Sequence, residues 1–222
     1  MNIAIFRPLT LICVLLALPL ATLCAEEDIP RVRLTTNMGE IVLELEPLKA
    51  PRTVENFLTY VRDGAYDGTI FHRVIGGFMI QGGGHIQDFT QIPTYESIPN
   101  EADNGLKNIA GTIAMARSSD PHSATSQFFI NVADNDFLNF RSETPRGWGY
   151  AVFGKVVEGM NVVQAIERSA TRQREVLPTT GQSPVIFSDV PRSDIIIQKA
   201  VLDNLSLPLP SSAPEPADPT SN

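Results

Sequence analysis

Cysteine is nearly absent from this 222-residue chain, and both copies, Cys13 and Cys24, fall within the first 25 residues. That stretch, 1–25, carries a single cation, Arg7, before an apolar run that Pro19 interrupts and that ends in small residues. The run is shorter than the ~20 apolar residues a membrane-spanning helix needs. The combination predicts a secretory signal peptide cleaved near Ala25, with an uncleaved anchor as the alternative. A lipoprotein signal ending at Cys24 fits less well, because Leu23 is bulky where a small residue is needed. Cleavage leaves a chain without thiols, which excludes disulfides, thiolate metal sites and cysteine nucleophiles. An exported protein without disulfides points to a bacterial periplasm, so a periplasmic protein with no membrane attachment in its mature form is expected.

Other absences narrow the chemistry. Without Arg7 the 17 Lys and Arg become 16 against 25 Asp and Glu, a net charge of −9, which argues against nucleic-acid binding through a basic face. No Gly-Lys-Ser/Thr follows the glycines of 76–84, and no helical pattern begins there, so a phosphate-binding loop is excluded. His72, His85 and His122 lack the His-x-x-x-His spacing of a zinc helix and read as surface or structural histidines. No Gly-x-Ser-x-Gly nucleophile elbow occurs. Neither a metal nor a cofactor is expected, and there is no internal repeat.

What is present is a mainly β pattern. "VRLTTNMGEIVLEL" (32–45) reads as a hairpin turning at Asn37-Met38-Gly39. "APRTVENFLTYVRDG" (50–64) reads as a helix with Pro51 in its first turn, Gly64 as its C-terminal cap, and Val54, Phe57, Leu58 and Val61 on one buried face. Short β-type runs follow at 69–74, 78–81, 111–116, 127–132 and 150–156, then a second helix near Gly159 and a terminal strand within 194–202. The segments 139–149 and 173–192 read as loops. Eight or so short strands with only two helices predict a closed antiparallel barrel or a sandwich over 29–205. From 206 to 222 the chain is rich in proline, serine and small residues, and a disordered tail is expected there.

"FHRVIGGFMIQGGG" (71–84) sets Arg73 among aromatic and aliphatic neighbours, with no serine, cysteine or lysine to act as nucleophile. Spacing alone leaves Arg73 open as a buried ion-pair partner, Gln81 as a solvated strand residue, and Phe78, Met79 and Phe129 as ordinary core. Together with "IAMARSSDPHSATSQFFINVADNDFLNF" (113–140) and "GWGYAVFGKVVEGMNVVQAI" (147–166), however, the stretch resembles the cyclophilins, peptidyl-prolyl cis-trans isomerases, and most of all their exported bacterial branch. The likeness runs collinearly from 32 to 202. It implies a closed eight-stranded antiparallel β-barrel capped by two α-helices.

The resemblance makes Arg73 the catalytic residue, acting with Gln81 and Phe78. It places Phe78, Met79 and Phe129 around the substrate proline ring, and Gln127, Phe137, Leu138 and Tyr150 along the groove. Proline-containing polypeptides are the implied partners, the implied state is a monomer, and the implied role is the folding of exported proteins. Physical chemistry agrees: an arginine is charged at any relevant pH, and a donor aimed at the prolyl nitrogen draws its lone pair out of amide conjugation. Two other classes stay open, a peptide-binding chaperone and a hollow-barrel carrier of apolar ligands. Phe137, Arg117 and Tyr150 stand where the best-known eukaryotic members carry tryptophan, asparagine and histidine, which implies weak cyclosporin binding more than altered catalysis.

Overall fold

A computed structural model describes residues 29–177 and 183–203. The expected signal peptide and proline-rich tail lie outside the described residues, as do both cysteines. Strands β1 (Arg31–Thr36) and β2 (Gly39–Leu45) form the expected hairpin, and along β1 Val32, Leu34 and Thr36 are buried while the residues between them are not. This period of two is that of a strand with one face on a core. Helix α1 (Pro51–Arg62) begins at its proline and buries Val54, Phe57, Leu58 and Val61. Gly64 then takes a left-handed φ of +66°, and its N–H bonds the Val61 carbonyl at 3.1 Å, closing the helix end.

The chain continues through β3 (Arg73–Ile75), β4 (Met79–Gly82), β5 (Thr112–Met115), β6 (Phe128–Asn131), β7 (Val152–Glu158), α2 (Met160–Glu167), β8 (Thr171–Val176), β9 (Val185–Pro191) and β10 (Ile197–Leu202). Eight of the strands make one antiparallel sheet in the order β10-β1-β2-β7-β5-β6-β4-β3. Its two ends meet through a bridge between Ile70 and Ile196, where Phe71 N–H donates to Ile195 O at 2.9 Å and Ile197 N–H donates to Thr69 O at 2.8 Å. The expected barrel is therefore present, with a short bridge as its seam in place of a full ladder. For the same reason the run expected at 69–74 becomes a regular strand only from Arg73.

Both helices drive their apolar faces into one core with the inward residues of the sheet. Phe57 of α1 sits 5.2 Å from Tyr66, 5.6 Å from Phe128 and 5.1 Å from Phe153, ring centre to ring centre. An interior filled this way leaves no room for the carrier reading.

The segment 173–192 departs from expectation. It contains an antiparallel strand pair, β8 with β9, whose exposed positions are charged or polar on β8 (Arg172, Gln173, Glu175) but apolar at Val185 and Ile186 of β9, so no regular alternation shows in the sequence. Val176, Phe187 and Val190 turn inward to form a small separate cluster with Ile70, Phe89 and Ile196. Segment 139–149 does lack strand and helix.

Candidate active site

Strand pairing builds the site. Arg73 lies opposite Gln81, Gln81 opposite Phe129, Phe129 opposite Ala114, and Ala114 opposite Val152. Residues directly opposite one another share a face of the sheet, so this row crosses five strands on one side. One step along, Val74, Ile80, Ile130 and Ile113 pair in the same succession and belong to the barrel core. Arg73 thus stands outside, with a half-exposed side chain.

The outer row floors a cavity of about 220 Å³ lined by Arg73, Phe78, Met79, Gln81, Phe129, Leu138 and Tyr150, together with Ala116 and Arg117. That exceeds the ~150 Å³ that holds a benzene ring in an apolar protein cavity, so a proline ring fits. Met79, Phe129 and Leu138 are buried, and they share an apolar cluster with Ala114 and Val152. Arg73 Nη1 makes a long 3.5 Å bond to Gln81 Oε1, and Gln81 Nε2 donates to Gln127 Oε1 at 2.9 Å. Gln127 lines an adjoining polar cavity that shares Gln81, Ala116 and Arg117 with the first. Phe137 stands at the rim, 62% exposed, its ring stacked 5.6 Å from that of Phe78. All the residues expected at the groove are therefore gathered there, Phe137 and Gln127 at its margins.

The glycines have a steric purpose. Gly83 has φ +78°, and a Cβ there would come within 2.7 Å of the Phe128 ring. At Gly84 a Cβ would meet the Gln127 side chain at 2.4 Å. The cluster lets backbone and the groove glutamine approach closely, which a phosphate loop would not require.

His72, next to Arg73 in sequence, points the other way. It is buried with its ring 4.7 Å from that of His85, and burial, with the neighbouring His85 and Arg73 charges, pushes its pKa down to about 3. A neutral, enclosed imidazole is a structural group. His122 accepts a hydrogen bond from Asn100 N–H and packs against Trp148.

Three contributors escaped the sequence reading. Arg117, noticed only as a departure, forms a wall between the two cavities, with its guanidinium 4.6 Å over the Tyr150 ring and Nε bonded to Gly149 O. A buried asparagine network holds the loop that delivers Leu138: Asn135 Nδ2 donates to Asn131 Oδ1 and to Phe78 O, Asn131 Nδ2 to Asn108 Oδ1, and Asn108 Nδ2 to the Leu138 and Tyr150 carbonyls. Asn131 inside "FFIN" was the available signal, since asparagine is disfavoured in strands. The third is Asp189 of β9, whose carboxylate lies 3.8 Å from Arg73 Nε.

Comparison with known proteins gives a consistent answer. The family described as cyclophilin type peptidyl-prolyl cis-trans isomerase matches residues 31–201. The chain is 58% identical to peptidyl-prolyl cis-trans isomerase cyp18 of Streptomyces antibioticus over 169 residues, covering 76% of this chain and 96% of that one. It is 55% identical to peptidyl-prolyl cis-trans isomerase B of Escherichia coli K12, covering 75% of this chain and 96% of the relative. Among solved structures, a Cryptosporidium parvum cyclophilin type isomerase in the presence of the dipeptide Ala-Pro superposes with a TM-score of 0.61 at 29% identity, over 78% of this chain and 98% of that one.

Proposed function

The chain belongs to the cyclophilin-type peptidyl-prolyl cis-trans isomerases, and from that premise we propose that it turns X-Pro bonds with Arg73 as its catalytic group. Rotation about an X-Pro bond faces a barrier of roughly 18–20 kcal/mol because the nitrogen lone pair conjugates with the carbonyl. As the bond twists, that lone pair localises on nitrogen and becomes a hydrogen-bond acceptor. A guanidinium N–H placed there stabilises the twisted state more than either planar state, which is the condition for catalysis. Bringing a tens-of-seconds isomerisation to milliseconds takes about 10⁴-fold, or ~5.5 kcal/mol.

The observation that carries this reading is the single outer row in which Arg73, Gln81 and Phe129 stand side by side on three strands. Phe78, Met79, Phe129 and Leu138 receive the proline ring and hold it while the preceding carbonyl swings. Gln81, tied to Gln127, holds the peptide backbone and one side of Arg73. The Ala-Pro dipeptide of the Cryptosporidium relative fits the same partner class, proline-containing polypeptides. Since the Arg73 side chain is 41% exposed, its surroundings become dry only when a bound peptide covers the groove, and the electrostatic gain arises at that moment.

Arg73→Ala is expected to lower kcat/KM for a proline peptide by about 10² to 10³ with the melting temperature retained, the range for losing one preorganised donor to developing charge. Arg73→Lys recovers only part, because an ammonium cannot contact Gln81 and the prolyl nitrogen at once in the same planar geometry. Undiminished turnover by Arg73→Ala would overturn the assignment. Exported proteins are the proposed clients, on the strength of the cation, apolar run and small residues of 1–25. N-terminal sequencing of protein from the periplasmic fraction should begin near Glu26, and Met1 retained in a membrane fraction would contradict it.

A further inference from the structure

The appended hairpin carries an irregularity beside Arg73. On β8, Arg172 pairs with Val190 and Arg174 with Phe187, so Ser188 and Asp189 of β9 together face Gln173 alone. Asp189 has a left-handed φ of +59°, a conformation that aspartate adopts more readily than most L-residues and that suits a bulge. A bulge of this kind turns a side chain out of its regular direction and recurs next to active sites.

The hairpin is not free to drift. Phe187 packs 4.7 Å from Phe89 and 5.5 Å from His85, the Arg174 guanidinium lies 4.5 Å over the Phe89 ring, and Arg174 reaches Asp194 at 3.6 Å. Phe89 is itself at φ +69°, a costly state for so bulky a residue. The strained Phe89 and the bulged Asp189 therefore sit in one docked unit, and its product is a carboxylate 3.8 Å from Arg73 Nε.

We propose that Asp189 is a positioning residue for the isomerase reaction: the bulged hairpin holds Arg73 Nε from one strand while Gln81 holds Nη1 from another, so that the remaining N–H groups of the planar fork face the substrate nitrogen. This rests on Arg73 being the catalytic group. A guanidinium on a long, flexible stem spends much of its time misdirected, and two anchors on one rigid plane remove that freedom before the substrate arrives. An ordinary surface ion pair, as two side chains each 41% exposed would suggest, needs neither a bulge nor a left-handed aspartate.

A double-mutant cycle on the full chain tests it, with a proline peptide as substrate and raised enzyme concentration for the slow variants. Asp189→Asn keeps the size and tolerates the left-handed backbone but removes the charge. With Arg73 present it should lower kcat/KM about 3- to 5-fold, the upper part of what an exposed pair contributes, and leave the melting temperature unchanged. In an Arg73→Ala background the same change should have no effect, which a merely structural role would not give. An Asp189→Asn enzyme at full rate, or an equal loss in both backgrounds, overturns the proposal while leaving a slow Arg73→Ala to stand for the catalytic assignment. A full-rate Arg73→Ala removes that assignment and this inference together.

Discussion

Strands β4 to β6 bury apolar residues on both faces and put the two faces to opposite uses. Val74, Ile80, Ile113, Phe128 and Ile130 point into the barrel, while Met79, Ala114 and Phe129 point out of it and are just as hidden from water. The difference is in what each face meets. Inward residues touch apolar side chains from both helices and the far strands. Outward residues are covered only by one loop and a few side chains, Leu138, Phe78 and Tyr150, and that incomplete cover leaves the cavity. Burial alone therefore does not separate core from site; incompleteness of packing does.

Substitutions on the two faces should split stability from activity. Phe128→Ala removes a ring that meets Phe57, Tyr66 and Phe71, and should destabilise by about 3–5 kcal/mol, read as a large fall in a thermal or urea melt. Its sequence neighbour Phe129→Ala should reverse the order, losing more in kcat/KM than in stability, because its space already opens on a cavity. Equal stability losses at 128 and 129, with turnover untouched at both, would erase the distinction between the faces.

The next effect turns on the same alternation at 72 and 73. His72, with a folded-state pKa of about 3 against about 6.5 when unfolded, must stay neutral in its buried position. Between those values the unfolded chain binds the extra proton, so its destabilising contribution is nil above about pH 6.5, grows as the pH falls toward 3, and levels off below. His85, lowered by burial, acts in the same direction. Melting temperatures of wild type and His72→Gln across pH 3 to 7 should converge in slope only above about 6.5. A difference curve flat throughout that range would mean His72 is not held neutral by burial.

The smallest change is expected at the rim. Phe137→Trp adds an indole N–H to an exposed ring stacked on Phe78 without touching Arg73, so cyclosporin binding should tighten while peptide turnover shifts less than about 3-fold. Unchanged affinity in a titration would place the determinant at Arg117 or Tyr150 instead.

Strand β1 and helix α1 were legible in the sequence because each has one wet face and a clean period, and β2 followed from the turn residues Asn37, Met38 and Gly39 although Ile41, Val42 and Leu43 are all buried. The run "FFIN" shows no alternation, since both its faces are covered, and nothing in its pattern says that Phe128 belongs to the core and Phe129 to the groove. That assignment required the collinear likeness to a known family. Strands β8 and β9 were missed for the opposite reason: β8 is mostly polar, β9 exposes Val185 and Ile186, and their few inward residues complete a cluster with Ile70, Phe89 and Ile196 from elsewhere in the chain. Asp189 could not be read at all, because a bulge in register is a property of the pairing and not of either strand.

The outer face is proposed to work through one charge aimed at the prolyl nitrogen, and Arg73→Gln tests this most directly by keeping a planar hydrogen-bonding group, on a shorter stem, while removing the cation. Isomerisation of a proline peptide, followed alongside a melt of the same sample, should show kcat/KM down by about 10² or more for Arg73→Gln in a protein as stable as the wild type, and only part of that loss for Arg73→Lys, since lysine keeps the reach and the charge. A folded Arg73→Gln enzyme at the wild-type rate would contradict the account and leave distortion in the proline pocket to carry the catalysis.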